Sequence, residues 1–341
     1  HLPGYADGDF TQEAEDLTVY NPHGPDVTFA RHYSAKRASI SGACSPGLSA
    51  GWRHNYDFTI TQKAAPQNVT VLRLRYPDEQ IDQIRVNGTT LIPPAGASYL
   101  ASGTKVGGQW TSIHLTWADE SVWTFTLQEN GQLLLTQIQD KLGHTLGLTW
   151  DEHGRLEKIS NDDIYDPLDL LLLGYDDDTG YLEAVVDGNG YVGEWFDCPH
   201  PDFLGPIRVV YYVFDGGELH GVNQFGDVTR WVYTYGQGGM TGVTYAPSAH
   251  FTIAYDDETR DVKKITDPNG NYSEYTYVLD DDQFPTGTTI RSYAAADPIT
   301  PLSTTTYTYD QKCRLTALTE TADTENYTQT WEYGDMLNPY R

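Results

Sequence analysis

An aromatic residue followed directly by aspartate recurs along this chain, and this repeat restricts the fold more than any other sequence feature. Each copy continues into apolar residues, and the better-preserved copies carry a glycine before them. The clear copies are Trp150-Asp151 with Gly154, Tyr175-Asp176 with Gly180, Tyr255-Asp256, and Tyr309-Asp310. Aspartate at the start of a turn accepts backbone hydrogen bonds, and glycine supplies the positive φ that turns the chain back on itself. The repeat therefore predicts a series of β-hairpins.

Companion turns lie between these copies, and each begins with aspartate and has glycine three residues later. They are Asp140 to Gly143, Asp187 to Gly190, and Asp267 to Gly270. The strands that follow alternate with a period of two, so one face is aromatic and the other is mostly Thr, Glu or Val. We expect the aromatic face to be buried, with these tyrosines pointing inward: Tyr233, Tyr275, Tyr277 and Tyr309.

The composition fits strands and tight turns. The 341 residues include 25 Tyr, 8 Trp and 10 Phe beside 32 Gly and 18 Pro, a mixture that favours sheets over helices. The sequence predicts an all-β fold, a spiralling sheet of antiparallel hairpins with little or no helix. Roughly 16–20 strands spaced about 4.8 Å apart would enclose little space. We therefore expect either part of a larger shell or a small shell filled by aromatic residues and its own N-terminal segment.

The first third of the chain differs from the rest. It carries few copies of the repeat and contains a Pro- and Ala-rich stretch from Ile92 to Gly96. Alternating runs such as Val69 to Tyr76 still indicate strands. We predict a lead-in or plug-like β segment over residues 1 to 110 and a hairpin-repeat shell segment over residues 111 to 341.

The charge balance excludes some partners. The chain has 48 Asp and Glu against 21 Lys and Arg, a formal net charge of −27, which repels phosphate backbones and anionic membrane surfaces. No run approaches the roughly 20 apolar residues that span a bilayer. The sequence therefore predicts no nucleic-acid partner and no membrane span.

Two parts of the sequence resemble the Rhs and YD-repeat family. The repeats match the family's opening repeats in order, through Asp119 to Phe125, Asn130 to Leu133, Asp140 to Gly143, and Trp150 to Ile159. The lead-in matches through Gly8 to Phe10, Arg31 to Ser34, and Pro46 to Trp52. The resemblance covers most of the chain.

This resemblance implies a spiralling β-hairpin shell in a secreted or cell-surface bacterial protein, related to polymorphic toxins, toxin-complex cocoons and teneurin adhesion proteins. It implies no catalytic role and no cofactor for this part. In relatives, such a shell encloses a toxin. The implied partners are the remaining repeats or a C-terminal cargo of a longer polypeptide, and a glycan or protein partner remains open. The chain begins at His1 without a signal-type apolar stretch, and we expect it to be a piece of something longer.

Residues that could carry chemistry do not form a convincing site. Gly47-Leu48-Ser49-Ala50-Gly51 matches a hydrolase nucleophile elbow, but the residues after it indicate a strand where that elbow needs a helix. Glu194 and Asp197 are close in sequence, as expected by chance among so many acids. The Asp-rich turns lack the spacing of an EF-hand, and the histidines lack zinc-site spacing. We expect no metal site.

The spacing of the cysteines limits the disulfides that the chain can form. Cys44, Cys198 and Cys313 lie far apart, which excludes a CxxC motif and permits at most one internal disulfide.

A carbohydrate-binding or adhesion module would need several of the repeat tyrosines on one open surface. A glycoside-active enzyme would need two acids converging in a cleft.

Overall fold

The computed structural model describes residues 8–40, 44–64, 70–78, 80–161, 168–188, 208–224, 228–237, 239–245, 248–282, 284–311, 314–322 and 325–333. Several residues singled out in the sequence lie outside these ranges: Gly190, Glu194, Asp197, Cys198 and Cys313. Cys44 is described and is half-buried.

The described residues form 26 β-strands and one four-residue helix, α1 (Ala35–Ala38). The all-β prediction is confirmed. Three strands form a small antiparallel sheet in the order β1 (Thr11–Val19), β2 (Val27–Ser34), β3 (Trp52–His54). The helix turns the chain after β2, and the Ser34 hydroxyl caps it by accepting from the Arg37 backbone N–H.

The other 23 strands belong to one long sheet. They are β4 (Thr59–Ala64), β5 (Thr70–Arg75), β6 (Ile81–Asn87), β7 (Thr90–Ile92), β8 (Tyr99–Val106), β9 (Gln109–Trp117), β10 (Val122–Leu127), β11 (Leu133–Gln139), β12 (Thr145–Trp150), β13 (Leu156–Asn161), β14 (Asp169–Tyr175), β15 (Leu182–Asp187), β16 (Val209–Asp215), β17 (Glu218–Gln224), β18 (Val228–Gly236), β19 (Gly239–Tyr245), β20 (Ala249–Tyr255), β21 (Val262–Thr266), β22 (Tyr272–Leu279), β23 (Pro285–Tyr293), β24 (Ser303–Tyr309), β25 (Leu315–Ala322) and β26 (Glu325–Thr330). The estimate of 16–20 strands was too low, because hairpins from Thr59 onward also join this sheet.

Sequential strands of the long sheet are neighbours, and the strand pairs are antiparallel. One extra pairing changes the topology. At its N-terminal end β11 pairs with β4, through Leu133 opposite Ile60, while its C-terminal half pairs with β12. Strands β4 to β11 therefore close into a ring, and β12 to β26 continue from it. Residue 110 lies inside β9, so the sheet is continuous across the expected boundary, and the division into two domains stays a prediction.

The small sheet lies against the inner face of the long sheet. Phe29, Tyr33 and Trp52 are fully buried and belong to the same apolar core as Val222 and Tyr233 of β17 and β18. Inner and outer faces follow from the alternation of side chains along each strand. The described residues up to Phe58, called the lead-in from here on, thus fill the interior beside the middle strands, whereas the rest of the predicted lead-in segment, from Thr59, belongs to the long sheet.

Candidate functional surfaces in the repeat, the lead-in contact and the sheet end

The aromatic residue of each repeat occupies a β-bulge. The strand register shifts immediately before Trp150, Tyr175, Tyr255 and Tyr309. The residue opposite each one starts the returning strand, as Leu182 does opposite Tyr175. A bulge frees backbone groups from the ladder, and the repeat uses these groups for other contacts.

The best-preserved copy shows the chemistry of the repeat. Asp151 accepts the backbone N–H of Arg155 at 2.8 Å, and its other carboxylate oxygen accepts from Arg155 Nε at 2.6 Å. The guanidinium lies 4.5 Å from the ring centroid of Tyr175 in the next copy. The Tyr175 hydroxyl then donates to the Leu156 carbonyl at 2.8 Å. One copy is thereby tied to the following one.

The same contacts recur where the copies are degenerate. Asp310 binds Arg314, whose guanidinium lies 4.3 Å from the Tyr333 ring centroid, and the Tyr333 hydroxyl donates to the Leu315 carbonyl at 2.7 Å. Equivalent tyrosine-to-carbonyl bonds link further copies: Tyr235 to Leu219, Tyr255 to Met240, and Tyr277 to Val262. Trp150 does the same through its indole N–H, at 2.7 Å from the Leu135 carbonyl.

Most of the predicted turn residues lie in turns, whereas Asp187 ends strand β15. Gly154, Gly180 and Gly270 have φ of 75°, 73° and 83°. A hydrogen bond from the Thr179 hydroxyl lowers the pKa of Asp176, as does one from the Thr259 backbone N–H for Asp256 and one from the Asn271 side chain for Asp267. Asp187 instead accepts from Arg208 Nε at 2.9 Å.

Four oxygen atoms of the lead-in bind the bulges of four consecutive hairpins. The Gly47 carbonyl accepts from the N–H of Leu182 at 2.7 Å, and the Ser49 hydroxyl accepts from that of Leu219 at 3.0 Å. The Tyr33 hydroxyl accepts from Met240 N–H at 2.9 Å, and the Gly8 carbonyl accepts from Val262 N–H at 2.9 Å. The lead-in residues that carried the family resemblance are therefore the ones that hold the lead-in in place.

A buried ion pair anchors the small sheet. Arg31 of β2 and Asp16 of β1 form a salt bridge with no exposed side-chain area on either residue. The Tyr212 hydroxyl donates to Asp16 at 2.7 Å, and the Arg31 guanidinium lies 4.6 Å from the Trp52 ring centroid. Arg31 lies within the Arg31 to Ser34 motif, but the sequence did not predict this group, because Tyr212 is 196 positions from Asp16.

His54 lies in a second buried polar group. It stacks on Phe29 at 5.7 Å between ring centroids and lies 6.0 Å from Trp150, which joins β3 to the long sheet. Burial, followed by the nearby Arg53, lowers the pKa of His54 to about 4, although Asp57 opposes this. The side chain is therefore neutral at pH 7.

The structure does not assemble the hydrolase elbow. Ser49 is buried in a turn between β2 and β3, and its hydroxyl binds the Leu219 backbone. Among the described residues, no group of three His, Cys, Asp or Glu side chains is arranged to hold a metal ion. Within the same ranges, no helix is long and apolar enough to span a membrane.

The inward orientation of the repeat tyrosines is confirmed. Tyr233, Tyr275 and Tyr309 are buried, and Tyr277 is half-buried on the same face as Tyr275. The carbohydrate-binding alternative needs several of these rings on an open surface, whereas three of the four are buried.

Burial decreases toward the C-terminal end of the long sheet. Strand β23 still has two buried residues, Thr288 and Ile290, whereas β25 has none and β26 is exposed along its whole length. The inner-face residues Leu318 and Tyr327 show the change, since Leu318 is half-buried and Tyr327 is 63% exposed. Strand β26, the last described strand, therefore presents both faces to solvent.

No protein-family model matches the chain, and no curated protein is significantly similar to it. Among solved structures it is similar to the TcdB2-TccC3 crystal structure, with 12% identity and a TM-score of 0.43 over 93% of this chain and 19% of that one. A form of TcdB2-TccC3 without its hypervariable C-terminal region has 13% identity and a TM-score of 0.29 over 95% and 22%. A Photorhabdus luminescens Tc holotoxin pore has 13% identity and a TM-score of 0.30 over 92% and 21%.

This chain spans about a fifth of the length of those chains. The class that its own fold defines is an all-β protein whose long hairpin sheet encloses a small N-terminal sheet.

Proposed function

We propose that this chain is a noncatalytic segment of a larger YD-repeat shell in a secreted or surface bacterial protein, serving as scaffold, container or interaction surface. The observation that supports the proposal most is the exposed inner face of β26, which lies beside the half-buried β25. The lead-in covers the inner face of the middle strands of the same sheet. The interior is therefore filled beside the middle strands and open at the C-terminal end.

The C-terminal end of the long sheet has the properties expected where a longer shell continues into further hairpins. Tyr333 and Leu315 still make the contact that links one repeat to the next, so the repeat is complete there in its local chemistry. Strand β26 pairs with β25 on one side. Among the described residues no strand pairs with its other edge. An exposed strand of six polar residues with such an edge is a template for a further hairpin.

The proposal predicts how the chain behaves in solution. We expect small-angle scattering with in-line size exclusion to show an open particle, or one that self-associates through its ends at high concentration. Thr328→Pro places proline in β26 and should abolish that association, because proline cannot donate to a ladder and is poorly tolerated inside one. The control is Thr104→Val, at an exposed position of β8 away from β26.

A compact monomer with a closed, filled scattering profile at all concentrations would contradict an enclosing role. The functional surface would then be the outer loops. A Thr328→Pro variant that associates as well as the parent would show that β26 is not the edge involved.

A further inference from the structure

Five aromatic side chains and one carboxylate form a closed circuit at one mouth of the ring of strands β4 to β11. They are Phe58, Tyr76, Asp82, Tyr99, Trp117 and Trp123. Each lies at a strand end on the inner face of the ring. Trp123 lies in the Asp119 to Phe125 segment of the repeat resemblance, and none of the six takes part in the four bonds between the lead-in and the bulges.

The circuit is continuous from ring to ring. The Tyr76 centroid lies 5.5 Å from that of Phe58, which lies 4.9 Å from Trp123. Trp123 lies 5.1 Å from Trp117, and Trp117 lies 5.1 Å from Tyr99. Successive ring planes are inclined by 67°, 84°, 58° and 58°, so the rings stand as walls at steep angles and do not form a parallel stack.

Asp82 closes the circuit. One of its oxygens, Oδ2, accepts from the Tyr76 hydroxyl at 2.9 Å and from the Tyr99 hydroxyl at 2.9 Å. Burial and the Asp82 carboxylate raise the pKa of both tyrosines, which keeps their protons on the hydroxyls that donate to Asp82. The carboxylate is thus fixed between two rings as the single charged member of the circuit.

The circuit packs on buried apolar residues on one side and is partly exposed to solvent on the other. For five of the six members, the residue two positions further into the ring is fully buried: Ile60, Leu74, Ile84, Leu115 and Phe125. Four of the five rings and Asp82 are only half-buried. A regular circuit of six groups at this spacing has its centre about 5 Å from each ring, within the range of about 6 Å over which a cation is attracted to an aromatic face.

We propose that this aromatic circuit is a binding site for a small organic cation that carries a quaternary or N-methylated ammonium group. Such a group is too large and too weakly hydrated for a site of oxygen ligands, and it is recognised by aromatic walls with a nearby negative charge. The formal net charge of −27 raises the local concentration of cations around the chain. Mouths of closed sheets are also common ligand sites.

Calorimetric titration with choline tests the proposal, with the uncharged carbon isostere dimethylbutanol as the matched ligand. We expect choline to bind and the isostere, which has the same shape, to bind at least about tenfold more weakly, because only the charged group gains from the ring faces and Asp82. Equal binding of the two ligands, or no heat from choline at millimolar concentration, would overturn the proposal.

Two variants locate the site. Asp82→Asn keeps acceptors for both tyrosine hydroxyls but removes the charge, and we expect it to weaken choline binding by about tenfold. Trp123→Leu removes one wall and should weaken it similarly. Glu157→Gln, an exposed carboxylate on β13, is the control and should bind as the parent does. Near-ultraviolet circular dichroism checks that each variant is folded. An unchanged affinity in a folded Asp82→Asn or Trp123→Leu variant would place choline elsewhere and refute this site.

A quaternary ammonium group can come from a free small molecule or from a lipid headgroup. Co-sedimentation with phosphatidylcholine vesicles, with and without excess choline, separates the sources. Binding to choline alone identifies a free ligand, and vesicle binding that choline displaces identifies a headgroup. Either supports the site, whereas vesicle binding that choline does not displace contradicts it for lipids.

Discussion

Strands β14 to β21 and strands β25 and β26 belong to one sheet and use the same repeat, yet the first group has buried residues on its inner face, whereas β25 is half-buried and β26 is exposed. The local contacts are equal in the two regions. Tyr175 donates to Leu156 and Tyr333 donates to Leu315, at 2.8 and 2.7 Å. The difference is that the lead-in covers only the first region. The contacts of the repeat therefore form the sheet in both regions. The lead-in determines which of the two has a buried inner face.

The bulges show the same contrast. In the covered region the residues opposite the repeat aromatics, such as Leu182 and Val262, donate their N–H to lead-in oxygens. Between β22 and β23 the corresponding position, opposite Leu279, is Pro285, which has no N–H to donate. The sequence thus omits the donor in a hairpin beyond those that the lead-in oxygens bind.

The largest expected effect is on the buried ion pair of the covered region. Arg31→Met leaves the Asp16 carboxylate buried without its partner, which costs about 3–5 kcal/mol of unfolding free energy. Urea unfolding followed by tryptophan fluorescence measures it. Arg291→Met, on an exposed position of β23 in the less covered region, is the control and should change stability little. Similar losses in both variants would break the comparison.

Acid should destabilise the covered region next. His54 has a pKa of about 4 when folded and about 6.5 when unfolded. Its folded pKa is lowered, so the unfolded state binds more protons between these values. Its contribution is present above pH 6.5 and is lost as the pH falls toward 4, up to roughly 3 kcal/mol.

His54→Gln should flatten the pH dependence of the unfolding midpoint between pH 4 and about 6.5. The exposed His250→Gln is the matched control and should leave the slope as it is. An unchanged slope in a folded His54→Gln variant would show that other groups carry the acid sensitivity.

Gly47→Ala is expected to cost somewhat less. Gly47 has φ of +85°, and a Cβ there would lie 2.4 Å from the Tyr175 ring, so the substitution combines backbone strain with a clash, about 2–3 kcal/mol in all. Gly143→Ala has φ of +92° but open space around the Cβ, so it reports the backbone strain alone. Thermal unfolding compares them, and equal costs would mean that the lead-in yields easily at this contact.

The smallest effect compares one hydroxyl in each region. Tyr255→Phe removes a bond to Met240 beside the Tyr33 contact, and we expect a loss of about 1 kcal/mol. Tyr333→Phe removes the same bond at the open end, where water replaces it, and should cost less. A larger loss for Tyr333→Phe would indicate that the open end is covered in solution.

Much of the repeat could be predicted from sequence because its contacts are local. Asp151 and Arg155 are four residues apart, and the turn glycines need positive φ wherever they stand. The inner face of the tyrosines followed from period-two alternation. The strand number was underestimated because the hairpins between Thr59 and Trp117 lack the repeat motif.

The sequence by itself determined the all-β class, the hairpin turns and the aromatic inner face, since these depend on neighbours a few residues apart. Only the tertiary structure decided that β11 also pairs with β4, that Asp16 meets Arg31 beneath Tyr212, and that five aromatic rings form a circuit with Asp82. These contacts join residues from 6 to 196 positions apart. A local pattern carries no record of them, because their free energy depends on how the whole sheet curves and on what fills it.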